Sequence, residues 1–219
     1  MTKKILLATA VAAAMAMGSA SAATISFSDS FGPATTNWTE NLTLQQFDTS
    51  LGTLLSIKFV YGGGVSTTFN LESLDAAATI LTGTSSAMLA FGGPISDTLN
   101  ASGTTGPLAV TAFDGAIDFG GTSGVVAGPI TDTDSDMTTL FSGFAPFLGL
   151  GTYDISVAAT GLSSASGAGN LISLIGTTAF ANIDVIYEYR VNDVPEPASM
   201  LLVGRVLPAR LHEIAGRPW

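Results

Sequence analysis

The 219-residue chain has no cysteine, one histidine and seven lysines and arginines. Each scarcity closes off some chemistry. Without cysteine there is no disulfide framework, no thiolate nucleophile and no thiolate zinc site, so the fold must be held by its own core. The one histidine is His212, in the C-terminal tail, so the body offers no Ser–His or Cys–His pair. Between Ala23 and Val194 the only cations are Lys58 and Arg190, set against fifteen acids, for a formal charge of −13. Such a body cannot make the Lys and Arg contacts that nucleic acid requires, and it has no arginine clamp for phosphoryl transfer. It also repels anionic lipid. Long apolar runs are missing too. The longest, Ile5 to Met17, falls short of the ~20 residues that a spanning helix needs.

What is present is apolar and small. Hydrophobic residues make up 47 % of the chain and glycines number 25. Abundant Gly, Ser, Thr and Ala, with little Lys, Glu or Gln, disfavours long helices and suits strands joined by turns. Alternation confirms the type of element. In "LLSIKFVY" Leu55, Ile57, Phe59 and Tyr61 share a face, and in "NIDVIYEYRV" Ile183, Val185, Tyr187, Tyr189 and Val191 do the same. "TYDISVAA" repeats the pattern through Tyr153, Ile155 and Val157, with shorter cases in "ATISFSDSF", "NLTLQQF", "VSTTFNL" and "PLAVTAF".

Turn signals punctuate these runs at Gly62–Gly64, Gly92–Pro94, Gly103–Pro107, Gly120–Gly121, Gly128–Pro129 and 163–170. "ESLDAAATIL" at 72–81 reads as a strand with Leu74, Ala76, Ala78 and Ile80 inward, and "DMTTLFSGFAPF" holds one helical turn ending near Pro146. The expectation is an all-β chain: one antiparallel two-sheet β-sandwich of mostly short strands and Gly-rich turns.

The front end reads as an export signal. Lys3 and Lys4 form a basic start, Ile5 to Met17 an apolar stretch, and Ala20-Ser21-Ala22 a small-x-small site, so cleavage is expected between Ala22 and Ala23. Near the other end "VPEP" (Val194, Pro195, Glu196, Pro197) is followed by a short apolar stretch to Gly204. This layout resembles the PEP-CTERM sorting signal of Gram-negative bacteria, in which the motif precedes a membrane span and a basic cluster. The resemblance implies processing by an exosortase-type membrane enzyme.

A second resemblance lies in "LQQFDTSLGTLLSIKFVY" at 44–61, through Phe47, Asp48, Leu51, Gly52 and Leu54. It is similar to the opening of the choice-of-anchor E domain. Covering about 24–192, it implies a surface or extracellular-matrix protein of bacteria that make exopolysaccharide, with extracellular polysaccharide as a partner and no established activity. The domain plan is therefore a signal peptide at 1–22, the β domain at 23–192, and the sorting motif with the start of an anchor at 193–204. An atypical, disordered tail at 205–219 completes it.

That tail departs from the family pattern. Arg205, Arg210, Glu213 and Arg217, with Pro208 and Pro218, interrupt the span. Each central charge costs ~2.5–3.5 kcal/mol on insertion scales, so this ending should not cross a membrane. A shifted reading frame after Gly204 would produce such a switch. Membrane attachment is expected only with an intact anchor; otherwise the protein is released or stays periplasmic.

"ITDTDSDMTTL" is the most chemical stretch. Asp132, Asp134 and Asp136 alternate, so an extended chain puts three carboxylates on one side. Calcium takes such oxygen ligands, although Met137 and Gly143 stand where an EF-hand needs Gly and Glu. A solvated acidic loop, with Asp136 capping the next turn, is the alternative. Asp114 and Asp118 in "FDGAIDFGGTSG" fit a tight turn, with a second ligand group as the alternative, and Asp48 fits an Asx turn. Trp38 fits core packing, against stacking on a sugar ring. The leading functional expectation is a non-enzymatic exported surface or matrix protein with no required cofactor. A calcium- or glycan-binding module is the alternative, and a carboxylate-based polysaccharide hydrolase is the third.

Overall fold

A computed structural model describes residues 22–192. The strands are β1 (Ala22–Thr35), β2 (Trp38–Gln45), β3 (Gly52–Ser73), β4 (Thr79–Gly92), β5 (Asp97–Thr104), β6 (Leu108–Val110), β7 (Gly124–Leu140), β8 (Thr152–Ser166) and β9 (Leu171–Val191). They form two antiparallel sheets packed face to face, a β-sandwich as expected. The first runs β1-β9-β3-β7; the second runs β2-β8-β4-β5, with β6 on the end of β4. Ala22 and Ala23 open β1, paired with Arg190 and Tyr189. Ala20, the motif Val194–Pro197 and the tail 205–219 lie outside the described residues. Among the described residues no helix is long and apolar enough to cross a membrane.

Alternation decides which side chains meet between the sheets. Ile57, Phe59 and Tyr61 of β3 face in beside Ile183, Val185 and Tyr187 of β9, and all six are buried. Leu42 and Leu44 of β2 and Ile155 and Val157 of β8 close on them from the second sheet. The aromatic centre is continuous: Phe47 lies 5.6 Å from Tyr187, Phe59 5.3 Å from Phe147, and Phe147 5.1 Å from Tyr153. The Tyr187 hydroxyl is satisfied by the Gln45 carbonyl at 2.8 Å.

A second, smaller core of Phe69, Leu71, Leu81 and Val110 fills the far end. Between the two cores runs a hydroxyl belt. Thr67 is hydrogen-bonded to Ser85 and donates to Thr177 at 3.1 Å, and Ser163 meets Thr177 at 2.8 Å.

Several local expectations need correction. The strands are longer than expected, with 22 residues in β3 and 21 in β9. Gly62–Gly64 is not a turn: it sits in mid-β3 and fuses "LLSIKFVY" with "VSTTFNL". A Cβ on Gly63 would collide with Leu89 of the facing sheet, so the glycine allows close sheet approach rather than a bend. Residues 74–78 are a loop, and Ile80 is 56 % exposed rather than inward. Gly128–Pro129 lies within β7 at a register shift against β3, not at a turn. Asp136 lies in β7 and caps no helix; among the described residues the one 3-10 turn is Ala145–Phe147, with Pro146 inside it.

Candidate functional site: the acidic seam and the neutral outer face

A sandwich of open sheets leaves two lateral seams, where the edge strand of one sheet looks across at that of the other. Edge strands carry unpaired backbone N–H groups, and inward-pointing charged residues are a common way to blunt them. Both seams use aspartate for this. On one side Asp29 of β1, set between the inward residues Phe27 and Phe31, accepts the Thr43 N–H of β2 at 2.7 Å. On the other, β7 faces β5. Asp132 accepts the Ser102 N–H at 2.7 Å and Asp134 accepts the Asn100 N–H at 2.8 Å.

The alternation in "DTDSD" does place three carboxylates on one face of the strand, as its spacing predicts. That face looks into the seam, where two of the three act as inter-sheet clasps. The third rung differs. Asp136 accepts its neighbour's N–H, Met137, at 2.7 Å. Thr98, next in the β5 series, donates instead to Asp97 Oδ1 at 2.7 Å. Asp97 Oδ2 is buried without a partner, and so is the Tyr61 hydroxyl beside it. Burial, with Asp97 and Asp136 nearby, pushes the Tyr61 phenol up to about 12. Among the described residues no three His, Cys, Asp or Glu side chains converge as a metal site.

The signature residues at 47–54 act on the fold. Phe47 is a core residue bridged to Leu148. Asp48 Oδ1 accepts the Ser50 N–H at 2.8 Å, the expected Asx turn, and this bond holds its carboxyl below the ordinary value. Gly52 brings β3 so close to β9 that a Cβ would run into the Arg190 carbonyl. Next to them lies a small cavity of about 210 Å³, lined by Ile25, Phe27, Phe47, Asp48, Leu51 and Leu150 among others. Trp38 packs edge-on against Phe31 at 4.8 Å, the core role expected of it.

Loop 111–123 covers Glu72, a fully buried carboxylate that no motif or spacing marks in advance. Ser123 donates to its Oε1 at 2.6 Å, and the Asp114 N–H donates to that same hydroxyl at 3.2 Å. Asp114 accepts the Thr122 N–H at 3.0 Å and the Ala116 N–H at 3.1 Å, which lowers its pKa. Asp118 accepts the Gly120 N–H at 2.8 Å. Asp114 and Asp118 thus serve the tight turn that their setting predicts.

The outer face of the second sheet is of another character. Its rungs read Thr104–Thr84–Ser164, then Ser102–Ser86–Leu162, then Asn100–Met88–Thr160. This stretch of hydroxyls, amides and methyls carries no charge, on a body of formal charge −13. Around Ser86 it dips into a shallow depression of about 410 Å³.

No family model and no curated protein matches the chain. Among solved structures, a Gx-strain infectious bursal disease virus structure is 14 % identical over 85 % of this chain and 43 % of that one, with a TM-score of 0.14. T=1 particles derived from infectious bursal virus give 12 % identity over 90 % of this chain and 51 % of that one, with a TM-score of 0.12. The chain thus spans about half the length of these structures. Likeness at this level carries no argument about function.

Proposed function

We propose that the chain is a non-enzymatic exported protein of the bacterial cell surface or extracellular matrix, addressed by the sorting motif Val194–Pro197 and associated with extracellular polysaccharide. The observation that supports the polysaccharide contact is the uncharged stretch around Ser86 on the outer face of the second sheet. Residues within a rung stand at the ~4.8 Å spacing of neighbouring strands, successive rungs follow two residues or ~6.7 Å apart, and the hydroxyls both donate and accept. A neutral, hydroxyl-rich polymer can match such a face, whereas an anionic one meets the acidic surround. Each contact is weak, and a polymer presenting many repeats gains by engaging several domains at once.

Affinity electrophoresis of the purified protein through gels containing dextran or hydroxyethyl cellulose tests this reading. Retardation is expected, and Ser86→Lys with Thr160→Lys should abolish it without unfolding the protein, because both side chains point outward. Retardation that survives both substitutions would remove this face from the proposal. Cell fractionation tests the address: because Arg205 interrupts the anchor, the protein should be released or periplasmic. Replacing 205–219 by an apolar span with a basic end should carry it to the surface fraction unless Glu196→Ala is also present.

A further inference from the structure

The seam between β5 and β7 has a regular register that fails at one place. Ser102 with Asp132 and Asn100 with Asp134 are two rungs of N–H to carboxylate. The register would next pair the Thr98 N–H with Asp136. Instead Asp97 takes that N–H, and a second carboxylate enters a rung that already has one. Neither cation of the body sits there: Lys58 alternates onto the face of β3 opposite Tyr61, and Arg190 lies level with Thr53, eight residues along β3 from Tyr61.

A third oxygen sits with the pair. Tyr61 is the cross-strand partner of Asp136 on the inward face of β3. Its ring packs 5.1 Å from that of Phe91, and Phe91 is the cross-strand partner of Asp97. The two carboxylates therefore bracket the ring from β5 and β7. Tyr61 is fully buried and its hydroxyl, with the Thr138 side chain nearby, makes no hydrogen bond of normal geometry; Asp97 Oδ2 is buried and makes none either. Buried polar atoms left without partners are uncommon in native folds and call for an ion or ordered water.

We infer that Asp97, Asp136 and the Tyr61 hydroxyl form a binding site for a hard divalent cation, with calcium the best fit, at the third rung of the seam. The inference does not depend on polysaccharide binding. It moves the calcium expectation from Asp132–Asp134–Asp136 to a different set that keeps only Asp136. Two carboxylates supply charge, the protonated phenol supplies a neutral oxygen, and water fills the remaining positions of a six- to eight-oxygen shell. Asp136 is exposed, so the ion reaches the site from solvent at the open edge. Magnesium demands a near-ideal, tighter octahedron, so carboxylates and a phenol fixed on three separate strands suit the looser shell of calcium. Affinity should lie in the ~10⁻⁴–10⁻³ M range of extracellular modules.

Thermal melts and terbium luminescence of the purified full-length protein test this. Terbium(III) occupies calcium sites and emits when a neighbouring phenol is excited. Calcium at 5 mM should raise Tm by about 3 °C, and magnesium at the same concentration by less. Terbium emission under tyrosine excitation should saturate and be competed away by calcium. Asp97→Asn and Asp136→Asn should each raise Tm in calcium-free buffer, by relieving carboxylate repulsion, and should abolish both the calcium shift and the emission. Asp132→Asn, on a satisfied rung, should lower Tm and keep the calcium shift. Tyr61→Phe should lose most of the emission and weaken calcium several-fold. A wild-type protein with no calcium shift and no emission overturns the site, as does an Asp97→Asn protein that keeps both.

Discussion

The two ends of the sandwich hold together by different means. At one end Phe47, Phe59, Phe147, Tyr153 and Tyr187 form a broad aromatic core, in which area removed from water dominates and polar atoms are few. At the other, four buried apolar residues sit between the Thr67–Ser85–Thr177 belt and the covered Glu72 carboxylate. Apolar packing tolerates small changes in proportion to volume. A buried polar network fails abruptly when one member is lost, because the rest are left unpaired. The ends should therefore respond differently to perturbation.

The largest effect belongs to the aromatic end. Phe59→Ala removes a fully buried ring and should cost about 3–5 kcal/mol in urea unfolding, with fluorescence and circular dichroism transitions still coincident. Glu72→Ala at the polar end should cost less, about 1–3 kcal/mol, because the Ser123 hydroxyl loses its acceptor. Its signature is local: limited proteolysis of the native protein should cut within 112–123, and Glu72→Gln should restore most of the protection.

Alkali provides a third test, and it falls on the aromatic end. Burial pushes Tyr61 and Tyr187 up to about 12, from an ordinary value of 10.0. Phenols held neutral in the fold give stability that is complete below pH 10 and is lost as pH rises toward 12, since the unfolded chain releases those protons first. Absorbance at 295 nm should show the late-titrating phenols ionising together with unfolding. Ionisation at the ordinary value in a still-folded protein would contradict this.

The sandwich was legible wherever a strand has one wet face and one dry face. Ile183 to Tyr189 and Ile57 to Tyr61 alternate because water lies on one side of each sheet, whereas a register shift between Leu54 and Ser56 takes Leu55 off the face expected of it and packs Leu54 on the core instead. The reading broke where a residue's role depends on a strand distant in sequence. Glycines at 62–64 look like a turn, yet their missing side chains make room for Leu89, Asn182 and Phe180. The spacing of Asp132, Asp134 and Asp136 revealed a shared face, but not that the face looks into an inter-sheet seam, because nothing local marks β7 as an edge strand. Asp97 and Tyr61 carried no signal of their own; only pairing brings them to Asp136. Glu72 is hidden for the same reason, since the loop that buries it lies 40 to 50 residues further along the chain.

The position of β9 has a consequence for how the molecule comes together. It is the last of the described strands, yet it lies inside the first sheet, between β1 and β3. The first strand made thus waits some 150 residues for its hydrogen-bonding neighbour. Contacts so far apart make for slow folding, because a large loop must close before they form. Until Leu171–Val191 arrives, the chain has no stable middle to its first sheet. It stays open and threadable until synthesis of the domain is nearly complete.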